Sequence, residues 1–173
     1  MLSFALSSSR YLEFTEDETI VNWMPLDHVG GIVMMHVFGT ALGCNQVHAR
    51  IDSFIGDPLK WMDWLTEYKA TYSWAPNFAY GLVNEQKNRL KDRNWDLSHV
   101  KYILNGGEAV SPKTALQFLE HLAPYGMAHS IMLPAPVIKA SPISMPRTAN
   151  PSKATPNSLT MPNASSVACA VRA

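Results

Sequence analysis

Apolar and polar positions fall into blocks along the first 133 residues, and the period of the blocks changes from one to the next. Residues 19–24 (Thr-Ile-Val-Asn-Trp-Met) are β-branched and then aromatic, and Pro25 follows. That predicts a strand closed by proline. Residues 29–42 are apolar nearly all round, with Ile32, Val33, Met34, Met35, Val37 and Phe38, and Gly43 comes next. This is the pattern of a buried helix with a glycine stop. A short second strand is expected over 45–49. Asp57-Pro58 then offers a cap and a proline tolerated in the first helical turn. Trp61, Trp64, Leu65 and Tyr68 recur at i, i+3, i+4 and i+7, one face of a helix. Residues 70–74 predict a third strand. Pro76 opens a third helix with Phe78, Leu82 and Val83 on one side. The charged stretch 87–93 reads as its solvated end and a loop. A fourth strand is expected over 100–104. Ser111-Pro112 repeats the cap-then-proline start of a helix whose apolar face is Leu116, Leu119 and Leu122, and Pro124 ends it. Residues 1–12, with Leu2, Phe4, Leu6, Tyr11 and Leu12 among serines, read as the remainder of a helix.

Strands alternating with helices mean parallel strands joined by crossovers, and crossovers are right-handed. The expected fold is therefore α/β, a partial doubly wound parallel sheet over 1–133. From Pro134 the period disappears into Pro, Ser, Ala, Thr and Asn, so 134–173 is expected to be a disordered tail that cannot bury enough to offset chain entropy.

Composition narrows the function classes. Hydrophobic residues make up 47% and charged residues 16%, enough for a packed core. No run of 18 apolar residues exists, so no membrane span is expected. Residues 1–6 lack a basic start and are not read as a signal peptide. Cys44 and Cys169 sit far apart, with neither disulfide nor metal spacing, and a cytoplasmic setting fits. The net charge of zero divides unevenly: 1–133 holds all 14 acidic residues and 10 basic ones, net −4, while the tail holds Lys139, Arg147, Lys153 and Arg172. The mildly acidic body points away from a nucleic-acid partner, and the tail cations read as solvated.

Ligands of open parallel sheets sit beyond the carboxyl ends of the strands. Three polar corners follow strand ends: Pro25-Leu26-Asp27-His28, Trp74-Ala75-Pro76-Asn77 and Asn105-Gly106-Gly107-Glu108. Topology alone places them on one edge. The glycine pair lets a flat ligand approach the backbone, or is simply a turn feeding the next helix. His28 beside Asp27 is either an oriented imidazole that polarises a ligand or the neighbour of an Asp that caps the following helix. Trp23 and Trp74 are the composition of a core. The remaining histidines have no ligand spacing. G-x-G-x-x-G, the P-loop and G-x-S-x-G are absent.

Five pieces in order resemble one family: residues 22–31 (Asn-Trp-Met-Pro-Leu-Asp-His-Val-Gly-Gly), 57–61 (Asp-Pro-Leu-Lys-Trp), 73–79 (Ser-Trp-Ala-Pro-Asn-Phe-Ala), 95–98 (Trp-Asp-Leu-Ser) and 104–109 (Leu-Asn-Gly-Gly-Glu-Ala). Together they resemble the acyl-adenylate-forming (AMP-binding) enzymes, most of all the adenylation domains of nonribosomal peptide and polyketide synthetases and the fatty acyl-AMP ligases. The resemblance implies activation of a carboxylic acid, a fatty acid among the options, as acyl-AMP, with ATP and Mg²⁺ as cofactors and an acyl carrier protein as partner. By position, His28 resembles the family residue on the carboxylate and phosphate side of the pocket. Asn105, Gly106, Gly107 and Glu108 resemble the loop against adenine and the acyl group, and Asn77 and Phe78 resemble acyl-pocket lining.

No residue here matches the family's phosphate loop, its Thr/Glu motif or its catalytic lysine, so no catalytic residue and no metal ligand is assigned. The expectation is a fragment of such a ligase, inactive alone. The alternative is a non-catalytic nucleotide-binding or interaction module. The break at Leu133-Pro134 is what an out-of-frame continuation or a misassigned exon would produce, and the nucleotide sequence read in its other frames tests that.

Overall fold

The computed structural model describes residues 13–128 and the backbone of 132–134. The helix expected over 1–12 and the tail beyond Pro134 lie outside the described residues.

Five parallel strands form one sheet: β1 Thr19–Asn22, β2 Asn45–His48, β3 Tyr72–Ala75, β4 Tyr102–Asn105 and β5 Met132–Pro134. Their order is β2-β1-β3-β4-β5. The chain steps outward from β1 to β2, returns to the other side of β1, and continues through β4 to β5. The sheet is doubly wound, and its order reverses between β1 and β3, where Ile20 pairs with Tyr72 and Val21 with Ser73. β5 continues the sheet beside β4, with Ile103 opposite Met132.

The helices are a π-helix Gly30–Val37, α1 Phe38–Leu42, α2 Ile51–Gly56, α3 Lys60–Glu67, α4 Asn77–Glu85, α5 Lys87–Leu90 and α6 Pro112–Leu122, followed by a 3₁₀ turn Ala123–Tyr125. Two expected signals act as read. Ser111 Oγ accepts from Thr114 N–H at 3.3 Å at the start of α6, and Gly43 adopts a left-handed conformation after α1. Asp57 Oδ1 accepts from Leu59 N–H at 3.3 Å, but α3 begins only at Lys60 without a side-chain cap, so Asp57 and Pro58 form the turn before the helix rather than its cap and first position. α2 was not foreseen, because its six residues are too few to show a helical period.

Alternation along β3 sorts the core into two aromatic groups. Tyr72 meets Phe14 and Phe38 on one face. On the other, Ser73 Oγ accepts from Trp61 Nε1–H at 3.0 Å and donates to the Val21 carbonyl at 2.8 Å. Trp61 there joins Trp23, Phe54, Tyr80 and Phe118. Fully burying each such ring is worth roughly 2–3 kcal/mol.

Three expectations about faces are corrected. The segment 29–42 is neither wholly buried nor α-helical throughout: it begins as a π-helix, and Val29 and Ile32 are exposed. A stripe that is apolar all round carries no phase by which a wider turn could be told from an ordinary one. Leu116 is exposed, and Phe118 stands with Leu119 and Leu122 on the buried side of α6. Tyr68, past the end of α3, is exposed as well.

Candidate functional site

The three corners meet at the carboxyl edge of the sheet, beside the β1/β3 reversal. There they enclose a cleft of about 210 Å³. Met24 and His28 come from the first corner, Trp74, Pro76 and Phe78 from the second, and Gly106, Gly107 and Glu108 from the third.

The first corner is built by short-range hydrogen bonds. Asn22, buried at the end of β1, accepts from Met24 N–H at Oδ1 (3.0 Å) and donates from Nδ2 to the Met24 carbonyl (3.1 Å). The chain then turns through His28 N–H to the Pro25 carbonyl at 3.2 Å. His28 Nδ1 accepts from Gly30 N–H at 3.1 Å. A backbone N–H only donates, so the neutral imidazole carries its proton on Nε2. Of the two readings of Asp27-His28, the structure gives the capping role to His28 itself, and Asp27 is exposed.

Trp74 is the floor. Both glycine corners rest on its ring: a Cβ on Gly30 would stand 2.1 Å from Trp74 Cζ3, and one on Gly107 would stand 3.7 Å from Cζ2. Gly107 has φ +88°, a backbone state that favours glycine. Trp23 is a core residue, stacked on Phe54 at 3.8 Å between centroids, whereas Trp74 is buried and also lines the cleft.

The second and third corners are laced together. Asn77 Oδ1 accepts from Ser111 N–H at 3.0 Å and from Asn105 Nδ2 at 3.3 Å. Gly106 N–H reaches the Ala75 carbonyl at 3.3 Å. Glu108 Oε1 accepts from Phe78 N–H at 2.6 Å, at the start of α4. Seven residues were expected at the site. His28, Phe78, Gly106, Gly107 and Glu108 line the cleft, while Asn77 and Asn105 stand behind it and join the loops. Phe78 is exposed at the cleft mouth, whereas Val83 of the same helix is buried. Met24, Trp74 and Pro76 were not proposed as lining. Their only sequence signal was their place within one to three residues of a strand end. Among the described residues no group of three or more His, Cys, Asp or Glu is placed to hold a metal ion, and no helix is long and apolar enough to cross a membrane.

Chemically the cleft offers apolar and aromatic walls, two glycines that leave the backbone open, and one oriented imidazole N–H. Its volume is below the ~300–1,000 Å³ usual for a drug-sized ligand pocket. A cavity of about 350 Å³ lies on the β2 side of Met24 and Pro25, with His48, Arg50 and Asp52 among its lining.

The sequence profile of the AMP-binding enzymes matches residues 1–156. The chain belongs to the AMP-binding enzyme family. Among curated relatives, the probable long-chain-fatty-acid–AMP ligase FadD30 of Mycobacterium tuberculosis is 32% identical over 117 residues, 68% of this chain and 20% of that protein. The atromentin synthetase invA5 of Paxillus involutus is 32% identical over 123 residues, 68% of this chain and 13% of its own length. Among solved structures, the adenylation domain of a keto acid-selecting NRPS module, bound to keto acyl adenylate, superposes with a TM-score of 0.75 at 43% identity, over 77% of this chain and 25% of that one. A fatty acyl-adenylate ligase from L. pneumophila, in complex with acyl adenylate and pyrophosphate, gives 0.69 at 26% identity, over 76% and 23%. The chain thus spans about a fifth or less of the curated relatives and about a quarter of these AMP-binding structures. What it shares with them is the parallel α/β sheet of the large adenylation domain.

Proposed function

We propose that this chain supplies one wall of an acyl-adenylate site, in a ligase that activates a carboxylic acid with ATP. The observation that supports it most is that His28, Trp74, Gly106 and Gly107 line one cleft at the switch point of a sheet of this family. The open backbone at Gly106-Gly107 suits a flat base. The Nε2–H of His28 suits an oxygen of the acid or of the α-phosphate. Met24, Pro76 and Phe78 offer apolar contact to the acid's tail, which favours an uncharged chain such as that of a fatty or keto acid. Asn77, Asn105 and Glu108 set the loops. An acyl carrier protein as acceptor and a cytoplasmic setting belong to the same reading.

ATP would supply the adenylyl group and Mg²⁺ would neutralise phosphate charge. The cleft fits the base and the acid side of such a ligand, and no residue described here fits a metal. Adenylation depends on holding the phosphates and stabilising the charge that develops on them. His28 alone does not provide that, so the 173-residue chain by itself is expected to show no ATP–pyrophosphate exchange above background. Titrating the isotope-labelled chain with a non-hydrolysable acyl-adenylate analogue should shift the amides of Gly106, Gly107 and Gly30 and the indole of Trp74. Unchanged signals at these four positions would refute the assignment. Exchange activity lost in His28→Ala would show that the wall alone is catalytic and would refute the inactivity.

A further inference from the structure

A second polar cluster lies between β2 and the π-helix, away from the cleft. Gln46 Oε1 accepts from two imidazoles, His36 Nδ1 at 3.0 Å and His48 Nε2 at 3.1 Å. Gln46 Nε2 donates to Thr40 Oγ1 at 3.1 Å, and Thr40 Oγ1 gives its own proton to the His36 carbonyl at 2.8 Å. That hydroxyl has no second proton, so the amide must turn its nitrogen to Thr40 and its oxygen to the rings. Asn22 is fixed in the same manner. Both its amide atoms are committed to Met24, and the remaining Nδ2 proton meets His48 Nδ1 at 3.1 Å. His48 therefore accepts at Nδ1 and donates at Nε2, a single neutral tautomer.

His36 donates at Nδ1, so its bond to Gln46 does not involve Nε2. At His48 the acceptor nitrogen itself is engaged. A proton on His48 Nδ1 would face the Asn22 N–H, donor against donor. It would also place a positive charge next to the His36 ring, with 5.3 Å between the ring centroids. The other charged groups facing His48 are Arg50 and Asp52, across the cavity all three line. They are already paired with each other at 2.9 Å. On β1 the neighbour is the neutral Asn22.

We propose that Asn22, Gln46, His36 and His48 form a proton-operated clamp. When neutral it ties β1 and β2 to the π-helix, and acid opens it at His48, loosening the cleft wall that carries Met24 and His28. The coupling to the cleft is direct, since Asn22 also fixes the Met24 backbone and the π-helix begins at the glycine bonded to His28. Desolvation first, and the charge of His36 second, hold the His48 imidazolium below the ordinary 6.5. His48 is nonetheless exposed at the end of β2, and the Asn22 N–H facing its Nδ1 is a second restraint on the protonated ring. Unfolded His48 binds its proton near 6.5 and folded His48 only at lower pH. Between those two values the unfolded state binds more protons, and stability falls as pH falls. Above 6.5 both states are neutral and the clamp is closed.

The full 173-residue chain tests this by nitrogen-detected histidine titration from about pH 8 to about pH 5, with native amide exchange at each step. His48 should show the Nε2–H tautomer and a midpoint below 6.5. Protection factors over Met24 and residues 30–42 should fall by up to about tenfold per pH unit, the limit for one linked proton. Those in α4 and α6 should hold. His48→Gln, which keeps a neutral donor, should remove the pH dependence, and His36→Gln should raise the His48 midpoint. A His48 midpoint at or above 6.5 overturns the clamp, as does unchanged protection once His48 is protonated. Because the wild-type titration decides alone, a variant that fails to fold does not obscure the outcome.

Discussion

Gly31 and Gly81 are both helical glycines, and the same substitution at the two should move stability in opposite directions. A Cβ at Gly31 would stand 2.2 Å from the Pro25 carbonyl oxygen, 2.9 Å from the Pro25 carbonyl carbon and 3.0 Å from the Met24 carbonyl oxygen. All three are backbone atoms of the corner that carries His28, and none can swing aside. A Cβ at Gly81 in α4 would meet only Thr114 Cγ2 at 4.0 Å, an ordinary contact. Replacing a helical glycine by alanine gains about 0.5–1 kcal/mol from reduced chain entropy, and Gly81→Ala should realise most of that. At Gly31 the same gain is opposed by an overpacking cost of about 1–3 kcal/mol. The displaced corner also puts the His28–Gly30 bond at risk, a further ~0.5–1.5 kcal/mol. The net expectation for Gly31→Ala is a loss of about 0.5–4 kcal/mol. In a body of this size 1 kcal/mol corresponds to roughly 3–6 °C in Tm. Urea unfolding followed by tryptophan fluorescence, with thermal melts alongside, gives both values. If the two variants shift the midpoint in the same direction, or Gly31→Ala matches the wild type, the tight seat of the π-helix on the corner is wrong.

Ser73→Ala should cost about 2 kcal/mol in the same urea assay, because it strands the buried Trp61 Nε1–H with no other acceptor. A loss under about 0.5 kcal/mol would mean that the indole finds a new partner. Cys44 should resist alkylation in the folded chain near neutral pH, since burial and then the charge of Glu18 push its thiol up to about 11 and the thiolate is the reactive form. Peptide mapping after iodoacetamide treatment, with and without urea, checks this. Equal labelling of Cys44 in both would contradict its buried state.

What the sequence made legible followed from period. The four strands 19–24, 45–49, 70–74 and 100–104 carry β-branched or aromatic runs closed by Pro, Gly or a polar corner, and each is found within one or two residues. The convergence of the corners needed only parallel topology, and five of seven proposed residues line the cleft. The two that do not, Asn77 and Asn105, have the same chemistry as a ligand contact, and only geometry separates an amide that joins two loops from one that meets a ligand. β5 could not be read, because its three residues are too few to alternate. The π-helix was hidden by uniform apolarity.

The division of labour at the edge of the sheet explains why the cleft keeps its shape without long loops. The connections run from one to seven residues; the first is held largely by its own short-range bonds, and the other two borrow rigidity from each other. Asn77 spans from its own helix start to Asn105 and Ser111, and Glu108 reaches back to Phe78, so the second and third corners move as one. The first corner has no hydrogen bond to that pair among the described residues. It meets them through Trp74, against which Gly30 and Gly107 both rest, and is otherwise fixed by Asn22 and His28. Apart from the β1–β3 pairing beneath it, the side bearing His28 therefore has fewer directional bonds to the rest of the cleft than the other two corners have to each other. The same side answers to the Asn22–His48 bond, which gives the histidine clamp mechanical access to the one imidazole in the site.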